Sequence, residues 1–218
     1  MVGSLIYLTL TRPDISFAVG VLSRLMQDPR KPHYLAIQRV LRYVKGTVNK
    51  GVMFKRELNP ELTGMCDADY AGDLNEKRST TGYVFMYGSS PVSWCSKRQP
   101  TVSLSTTEAE YRAAAMAVQE CTWLTQLFRD LNQAIPYRIK LLYDNQSAIK
   151  LAENPVFHAR TKHIEVHYHF IGEKVLKGEI EMKWVDTDNQ AADMFTKCLS
   201  KFKLLEFCSK IGCVSSED

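Results

Sequence analysis

The stretch Leu62–Asp73, LTGMCDADYAGD, predicts a short strand that runs into a turn rich in carboxylates. Side chains alternate along a strand, so Asp67 and Asp69 point to one face while Cys66 points to the other. Burying an unpaired carboxylate is costly, which means that Asp67 needs either a partner or a solvated turn. Asp67 is therefore a candidate functional residue, and a simple surface turn is the alternative.

The spacing D-x-D-x-x-x-D in this stretch also matches the start of a calcium-binding loop. Such a loop needs a bidentate Glu at its twelfth position. Counted from Asp67, the twelfth position is Arg78, so a calcium loop is excluded.

The composition is that of an ordinary globular protein of 218 residues, 45% hydrophobic and 24% charged, with a formal net charge of +4. This length can bury one sizeable core, or a main domain with a smaller helical appendage. The charge is compatible with a polyanionic partner but does not require one. The six cysteines form no C-x-x-C pair, and no apolar run is long enough for a membrane span. We therefore expect reduced thiols, an intracellular location in the cytoplasm or nucleus, and no membrane partner.

The first 57 residues have helical periodicity. The apolar stripe Ile15, Val19, Leu22 and Met26 predicts one helix, and residues 33–44 predict a second helix that ends at Gly46. From residue 51 the pattern changes to short β-rich runs joined by polar turns, which is typical of an antiparallel meander. The predicted strands comprise residues 52–55, 62–67, 81–87 and 92–96.

The long helix after this meander supplies a second candidate. Ser105 followed by Glu108 predicts a capping box, in which each side chain satisfies a backbone N–H at the helix start. Glu110 lies roughly 200° around the helix from Glu108. The apolar stripe that continues from Glu110 in steps of four and three residues consists of Ala114, Ala117, Cys121, Leu124 and Phe128. A carboxylate at the head of such a stripe either faces the sheet or lies at a frayed end.

Two more carboxylates follow predicted structural transitions. Residues 138–143 predict a strand that ends at Asp144, before a short helix over residues 147–153. The carboxyl end of a strand is the usual place for functional groups in open α/β sheets, although Asp144 could instead cap the helix. After a further predicted strand over residues 179–185, Asp193 lies early in a helix predicted for residues 190–197, with Asp188 or Asn189 as its cap. Residues 201–211 predict a final helix, and 214–218 a frayed end.

Four of the five histidines lie between residues 158 and 169. His163 and His167 are four residues apart and could share a zinc ion on one helix face. No carboxylate or thiol completes that pattern. A basic helix start, formed by Arg160, Lys162 and His163 and facing phosphate, is the more economical interpretation.

The surviving acidic candidates are Asp67, Glu110, Asp144 and Asp193, which are distant in sequence and can be gathered only by the fold. Four like charges would raise one another's pKa and repel unless divalent cations compensate them. Carboxylate oxygens suit Mg²⁺, and two such ions about 4 Å apart clamp the attacking and leaving oxygens of an in-line phosphoryl displacement. The set therefore predicts a phosphodiester hydrolase that needs no covalent nucleophile.

Six motifs in order resemble the ribonuclease H domain at the end of the Pol polyprotein of copia-type retrotransposons: DADYAGD, KRSTTGYVF, SLSTTEAEYRA, LLYDNQSAI, RTKHIEVHYHFI and NQAADMFTK. The opening segment is similar to the one that joins reverse transcriptase to that domain. The resemblance implies a mixed α/β, ribonuclease H-like fold, with a five-stranded mixed sheet flanked by helices and an N-terminal helical extension. It divides the chain into residues 1–57, the extension; 58–200, the ribonuclease H-like domain; and 201–218, a C-terminal helix and tail.

The resemblance further implies cleavage of the RNA strand of RNA/DNA hybrids with two Mg²⁺ ions, or Mn²⁺ in their place, during retrotransposon reverse transcription. Asp67, Glu110, Asp144 and Asp193 match the metal-binding catalytic carboxylates of the family. The implied partners are the hybrid and the reverse transcriptase portion of the same polyprotein.

Two departures from the family pattern stand out. The loop VDTDNQAAD carries no His before Asp193, so a proton-shuttle or product-release role would fall to Asp186, Asp188 or water. The polymerase motif Y-x-D-D is absent, so we expect no copying of nucleic acid.

Hybrid recognition can be independent of sequence, because a protein that reads 2′-hydroxyls and the wide minor groove needs only cations along the phosphates. The candidate nucleic-acid-binding residues are Lys77, Arg78, Lys97, Arg98, Arg160, Lys162 and His163. Two other interpretations stay open. One is a non-catalytic nucleic-acid-binding or structural remnant of a retrotransposon polyprotein, and the other is a different nuclease or an integrase on the same fold.

Overall fold

A computed structural model describes residues 1–73, 75–146, 149 and 162–216, with side chains in the helix that begins at Lys162 described from Tyr168 onward. The α-helices are α1 Val2–Leu8, α2 Ser16–Arg24, α3 Lys31–Lys45, α4 Thr106–Asp130, α5 Lys162–Leu176 and α6 Lys201–Lys210. The strands are β1 Lys50–Val52, β2 Leu62–Asp69, β3 Thr80–Tyr87, β4 Ser90–Arg98, β5 Ile139–Tyr143, β6 Ile180–Trp184 and β7 Cys213–Ser215. None of the helices in these ranges combines the length and apolar character needed to cross a membrane.

The main sheet has five strands in the order β4-β3-β2-β5-β6. The pairs β4-β3 and β3-β2 are antiparallel, as the short polar turns predict, whereas β2-β5 and β5-β6 are parallel. The expected mixed α/β architecture with a five-stranded mixed sheet is therefore confirmed. Because β2 and β5 are parallel neighbours, their carboxyl ends meet at one edge of the sheet.

Helix α4 covers one face of this sheet. It begins where predicted, because Ser105 Oγ accepts a hydrogen bond from Glu108 N (3.1 Å) and a Glu108 carboxylate oxygen accepts one from Leu104 N (2.7 Å). The Glu108 carboxylate thus caps the N–H one residue earlier than a standard capping box does. The predicted stripe is buried at Ala114, Ala117, Cys121 and Leu124, and it packs on inward-facing residues of β2, β3 and β5.

The opposite face of the sheet is covered by the C-terminal part of the chain. Val84 and Met86 of β3 pack against Phe195, Phe207 and Ile211. Phe195 belongs to a short 3₁₀ helix, Ala191–Phe195, while Phe207 belongs to α6. This second core fixes the 3₁₀ helix against β2 and β3, next to the carboxyl end of β2.

The N-terminal helices form a small core of their own that contains Leu5, Ile15, Val19, Leu22 and Val40. This core lies against the edge strand β4, where Trp94 Nε1 donates a hydrogen bond to the backbone oxygen of Thr9 (2.9 Å).

A buried ion pair stabilises the N-terminal helices, with Arg12 Nη2 2.8 Å from Asp14 Oδ2. Tyr43 Oη donates a second hydrogen bond to the same carboxylate oxygen (2.8 Å), and Arg12 Nη1 donates to the Thr47 carbonyl (2.9 Å). Every charge in this cluster therefore has a partner.

Three expectations about element boundaries are wrong. Helix α2 ends at Arg24, and Met26 lies beyond it with 51% of its surface exposed, because the chain leaves the helix before Pro29. The strand predicted for residues 52–55 is instead β1, Lys50–Val52, which pairs antiparallel with β7. Val214 and Ser215, predicted to fray, belong to β7, because a strand becomes ordered when a distant segment supplies its hydrogen bonds. The helix predicted for residues 147–153 falls largely outside the described residues.

Candidate active site

Asp67 lies near the carboxyl end of β2 and is only 3% exposed. Its neighbour across the antiparallel pair is Gly82. A Cβ atom at Gly82 would lie 2.6 Å from Thr196 Cγ2 and 2.9 Å from the Ala192 oxygen, so only glycine lets the 3₁₀ segment approach this closely. The approach allows Thr196 Oγ1 to donate a hydrogen bond to Asp67 Oδ2.

Asp144 directly follows β5, at the same edge of the sheet as Asp67. It is partly buried, and Thr187 Oγ1 donates a hydrogen bond to its Oδ2 atom (3.2 Å). The strand-end position predicted from sequence is confirmed.

Asp193 reaches the site from the 3₁₀ helix Ala191–Phe195, not from an α-helix over residues 190–197 as predicted. The cap is Gln190, not Asp188 or Asn189. Gln190 Nε2 also donates to the Cys66 carbonyl of β2 (3.0 Å), which ties the segment to the central strand. The fully buried Gln190 side chain both caps the 3₁₀ helix and bonds to β2, which explains why the cap differs from the predicted one.

Asp67, Asp144 and Asp193 each place one carboxylate oxygen within 4.8 Å of the others. Hard, oxygen-only ligands of this kind suit Mg²⁺ or Mn²⁺. Asp193 Oδ1 is also buried, and among the described residues the Lys197 ammonium group lies 2.9 Å from it. The three side chains therefore fit a divalent cation.

Glu110 borders this cluster but is not among the carboxylates that meet within 4.8 Å. Its Oε2 atom accepts a hydrogen bond from Tyr143 Oη (2.6 Å), and Tyr143 is fully buried at the end of β5. Burial, followed by the charge of Asp67, raises the pKa of Glu110 to about 8. Without a cation, Glu110 is thus largely protonated at neutral pH.

The pKa values of Asp144 and Asp193 are raised as well. Burial and then the charge of Asp67 raise the pKa of Asp193 to about 7, and the same two causes raise the pKa of Asp144. Raised carboxylate pKa values indicate that the described protein groups supply less positive charge than the site requires.

Sequence reasoning missed Lys197, a cation in this site. Its Nζ atom lies 2.9 Å from Asp193 Oδ1 and 3.7 Å from Asp67 Oδ2. The motif NQAADMFTK places Lys197 four residues after Asp193, and this spacing could have indicated a contact between the two side chains. Its contact with Asp67, 130 positions earlier in the sequence, depends on tertiary structure.

The predicted nucleic-acid-binding residues fall into three groups. Lys77 and Lys97 are exposed, and no carboxylate of the described residues lies within ion-pair distance of either. Arg78 and Arg98 instead pair with Glu76, at 3.1 Å and 2.7 Å. The third group consists of Arg160, Lys162 and His163, which lie outside the described residues or side chains. The suggested zinc pair of His163 and His167 also lies outside the described side chains.

Arg98 also belongs to a network that sequence reasoning did not anticipate. Its Nη1 atom lies 3.0 Å from Asp73 Oδ2, and Arg24 at the end of α2 lies 3.7 Å from the same oxygen. Arg24 Nη2 also donates a long hydrogen bond to Thr80 Oγ1 (3.5 Å). Arg98 therefore helps to hold the β2-β3 turn and the N-terminal helices together.

The sheet order and the gathered carboxylates define a mixed α/β protein with a candidate metal centre. The chain is 44% identical over 212 residues to the retrovirus-related Pol polyprotein from transposon RE1 of Arabidopsis thaliana, covering 97% of this chain and 14% of that protein. It is 42% identical over 212 residues to the corresponding polyprotein from transposon TNT 1-94 of Nicotiana tabacum, covering 96% of this chain and 16% of that protein. Over nearly its whole length the chain is homologous to copia-type retrotransposon Pol polyproteins, and it spans about one seventh of the length of these relatives.

No protein-family model matches the chain. Among solved structures, it is similar to LC11-RNase H1, isolated from compost by a metagenomic approach, with a TM-score of 0.49 and 14% identity over 64% of this chain and 94% of that chain. It is also similar to the foamy viral protease-reverse transcriptase in complex with RNA/DNA hybrid, with a TM-score of 0.44 and 15% identity over 66% of this chain and 21% of that chain.

Proposed function

We propose that this chain is a ribonuclease H that hydrolyses the RNA strand of RNA/DNA hybrids during retrotransposon reverse transcription. The observation that carries the proposal is the convergence of Asp67, Asp144 and Asp193 within 4.8 Å at one edge of the sheet. Homology to a retrotransposon Pol polyprotein supports the choice of substrate.

In this mechanism Asp67, Asp144 and Asp193 would hold divalent cations, and Glu110, which borders them on α4, would be the fourth ligand. Two Mg²⁺ ions, or Mn²⁺ in their place, would supply Lewis-acid stabilisation of the attacking and leaving oxygens. The protein's part is to fix the carboxylates on rigid elements, so that none of them has to reorganise during the reaction. Since Glu110 and Asp193 have raised pKa values, metal binding should release protons from both.

Hybrid binding rests on backbone charge in this proposal. Lys77 and Lys97 are exposed and form no ion pair with a described carboxylate, which makes them the strongest candidates. Arg160, Lys162 and His163 stay candidates from the sequence. Arg78 and Arg98 are weaker candidates, because each already pairs with Glu76. The reverse transcriptase portion of the same polyprotein is the proposed protein partner.

The decisive experiment incubates the protein with a labelled RNA/DNA hybrid and Mg²⁺, with and without EDTA, beside Asp67→Asn and Glu110→Gln. We expect EDTA and either substitution to reduce cleavage by at least about 10³-fold, or ~4 kcal/mol of transition-state stabilisation. Hybrid binding should survive, because both variants remove negative charge. Glu108→Gln is the matched control and should retain cleavage, since its carboxylate is occupied by the helix cap and by Arg112.

Cleavage by Asp67→Asn at the wild-type rate would clear that residue of a role and defeat the proposal. A wild-type protein that binds the hybrid but does not cut it would favour the non-catalytic module instead. Cleavage of single-stranded RNA or duplex DNA in preference to the hybrid would favour a different nuclease on the same fold.

A further inference from the structure

Lys197 places its ammonium group where it contacts two carboxylates of the acidic site together. Its Nζ atom lies 2.9 Å from Asp193 Oδ1 and 3.7 Å from Asp67 Oδ2. The two carboxylate side chains are 9% and 4% exposed, whereas the Lys197 side chain is 37% exposed. The lysine stem therefore enters the site from solvent and has room to withdraw.

The two oxygens that Lys197 contacts belong to carboxylates proposed to hold metal. Asp193 Oδ1 is buried, and its approach to Lys197 lacks regular hydrogen-bond geometry. Asp67 Oδ2 is already engaged by the Thr196 hydroxyl. An ammonium ion and a divalent cation cannot both occupy the space in front of Asp193 Oδ1, so the two must compete.

Charge balance gives this competition a direction. One ammonium group offsets only part of the combined charge of the Asp67, Asp144 and Asp193 carboxylates, which meet within 4.8 Å. A divalent ion brings twice the charge and tolerates several oxygen ligands. The Lys197 ammonium group thus substitutes only partly for a divalent ion, and a divalent ion can displace it.

We infer that Lys197 is the resident counter-cation of the metal-free site, and that it competes with divalent ions for Asp193 and Asp67. This inference rests on the proposed function, because it assumes that the same carboxylates hold metal. The role of Lys197 is then regulatory, since it stabilises the empty site and sets the ion concentration at which the site fills.

The test measures binding of Mn²⁺ alone, by electron paramagnetic resonance, to the full chain without nucleic acid. Lys197→Gln should bind Mn²⁺ about three- to tenfold more tightly than the wild type, the range expected for losing one partly buried ion pair. Lys197→Arg keeps the charge and should stay within about twofold of the wild type. The metal-free Lys197→Gln protein should also melt about 2–4 °C lower.

Lys174→Gln is the matched control, because Lys174 on α5 forms a 2.6 Å ion pair with Glu179, which directly precedes β6 at the opposite edge of the sheet from the acidic site. It changes the net charge by the same amount and removes an ion pair, so it should lower the melting temperature without changing Mn²⁺ affinity. A general charge effect would instead tighten Mn²⁺ binding in both glutamine variants equally, which would overturn the inference.

The remaining outcomes separate the inference from the proposed function. Unchanged or weaker Mn²⁺ binding by Lys197→Gln would overturn the inference alone, since Lys197 would then be orienting the ligands. Tighter binding by Lys197→Gln, together with a wild-type protein that does not cleave the hybrid, would overturn the proposed function alone. If neither protein bound Mn²⁺ at millimolar concentration, both would be wrong.

Discussion

Two sites in this molecule contain buried carboxylates, and they differ in how completely nearby cations and hydrogen-bond donors neutralise the negative charge. In the N-terminal helices Asp14 is matched by Arg12 and Tyr43, and in the sheet Asp67 and Asp193 share the ammonium of Lys197, with Asp144 beside them. Burial alone would raise the pKa of Asp14, but the hydrogen bond and charge of Arg12 hold it below its usual range. In the sheet cluster burial dominates, and the pKa values of Asp144 and Asp193 are raised.

The difference teaches how to separate a structural charge from a functional one. A carboxylate with a complete set of protein partners stabilises the fold, and adding a ligand would gain nothing there. A group of carboxylates with too few partners costs stability, and it persists where the missing charge arrives with a ligand. We propose that the sheet cluster is of the second kind.

The largest expected change in stability comes from breaking the ion pair between Asp14 and Arg12. Asp14→Asn leaves the Arg12 guanidinium buried without its counter-charge, so we expect a loss of about 3–5 kcal/mol in the free energy of unfolding. Urea denaturation would measure it. Asp28→Asn is the control, since Asp28 pairs with Arg30 on the surface with both side chains more than 70% exposed. A loss below about 1 kcal/mol in Asp14→Asn, the size expected of a surface pair, would show that the Asp14–Arg12 pair does not stabilise the fold as a buried pair should.

The next prediction concerns pH. Glu110 has a pKa of about 8 in the folded protein against a usual value of 4.5, so the folded state holds more protons than the unfolded chain between those limits. The stability of the metal-free protein should therefore fall as pH rises from about 4.5 to 8, by at most about 1.4 kcal/mol per pH unit for each such group. Asp14 acts in the opposite sense, because its lowered pKa gives stability that is lost only as pH falls below about 4.

Thermal unfolding in EDTA across this pH range would measure both slopes. Glu110→Gln should flatten the slope between pH 4.5 and 8 and raise stability at pH 8 by about 1–2 kcal/mol, since it removes a charge that the site cannot neutralise. Saturating Mg²⁺ should flatten the wild-type slope as well. An unchanged slope in Glu110→Gln would show that the pKa of Glu110 is not raised in the folded protein.

The smallest expected effect comes from a carboxylate two residues away from Glu110. Glu108→Gln weakens the bond to Leu104 N and the 2.7 Å pair with Arg112, which should cost about 1 kcal/mol. Denaturation of the variant between pH 4.5 and 8 would show this loss without the slope change expected for Glu110→Gln. Stabilisation by Glu108→Gln would mean that the two glutamates had been assigned the wrong roles.

Much of the fold could be predicted because its signals are local. The alternation along β2 and the meander turns predicted the antiparallel strands, and the Ser105–Glu108 cap with the stripe from Ala114 to Leu124 predicted α4. Each signal depends on residues within one or two turns of each other, so the sequence alone expresses it.

The errors lie where distant segments decide the structure. β1 and β7 form only because residues 50–52 and 213–215 meet. The segment around Asp193 becomes a 3₁₀ helix because Gln190 bonds to Cys66 of β2. Lys197 received no role because its second carboxylate, Asp67, belongs to a strand far away in the chain.

The sequence by itself singled out four carboxylates by their positions at strand ends or near helix starts: Asp67, Glu110, Asp144 and Asp193. Only the tertiary structure decided that Asp67, Asp144 and Asp193 meet, that Glu110 is held beside them by Tyr143, and that Lys197 contacts two of them. The physical reason is range: periodicity and capping act between near neighbours, whereas charge compensation depends on distances of a few ångströms that the packed sheet alone sets.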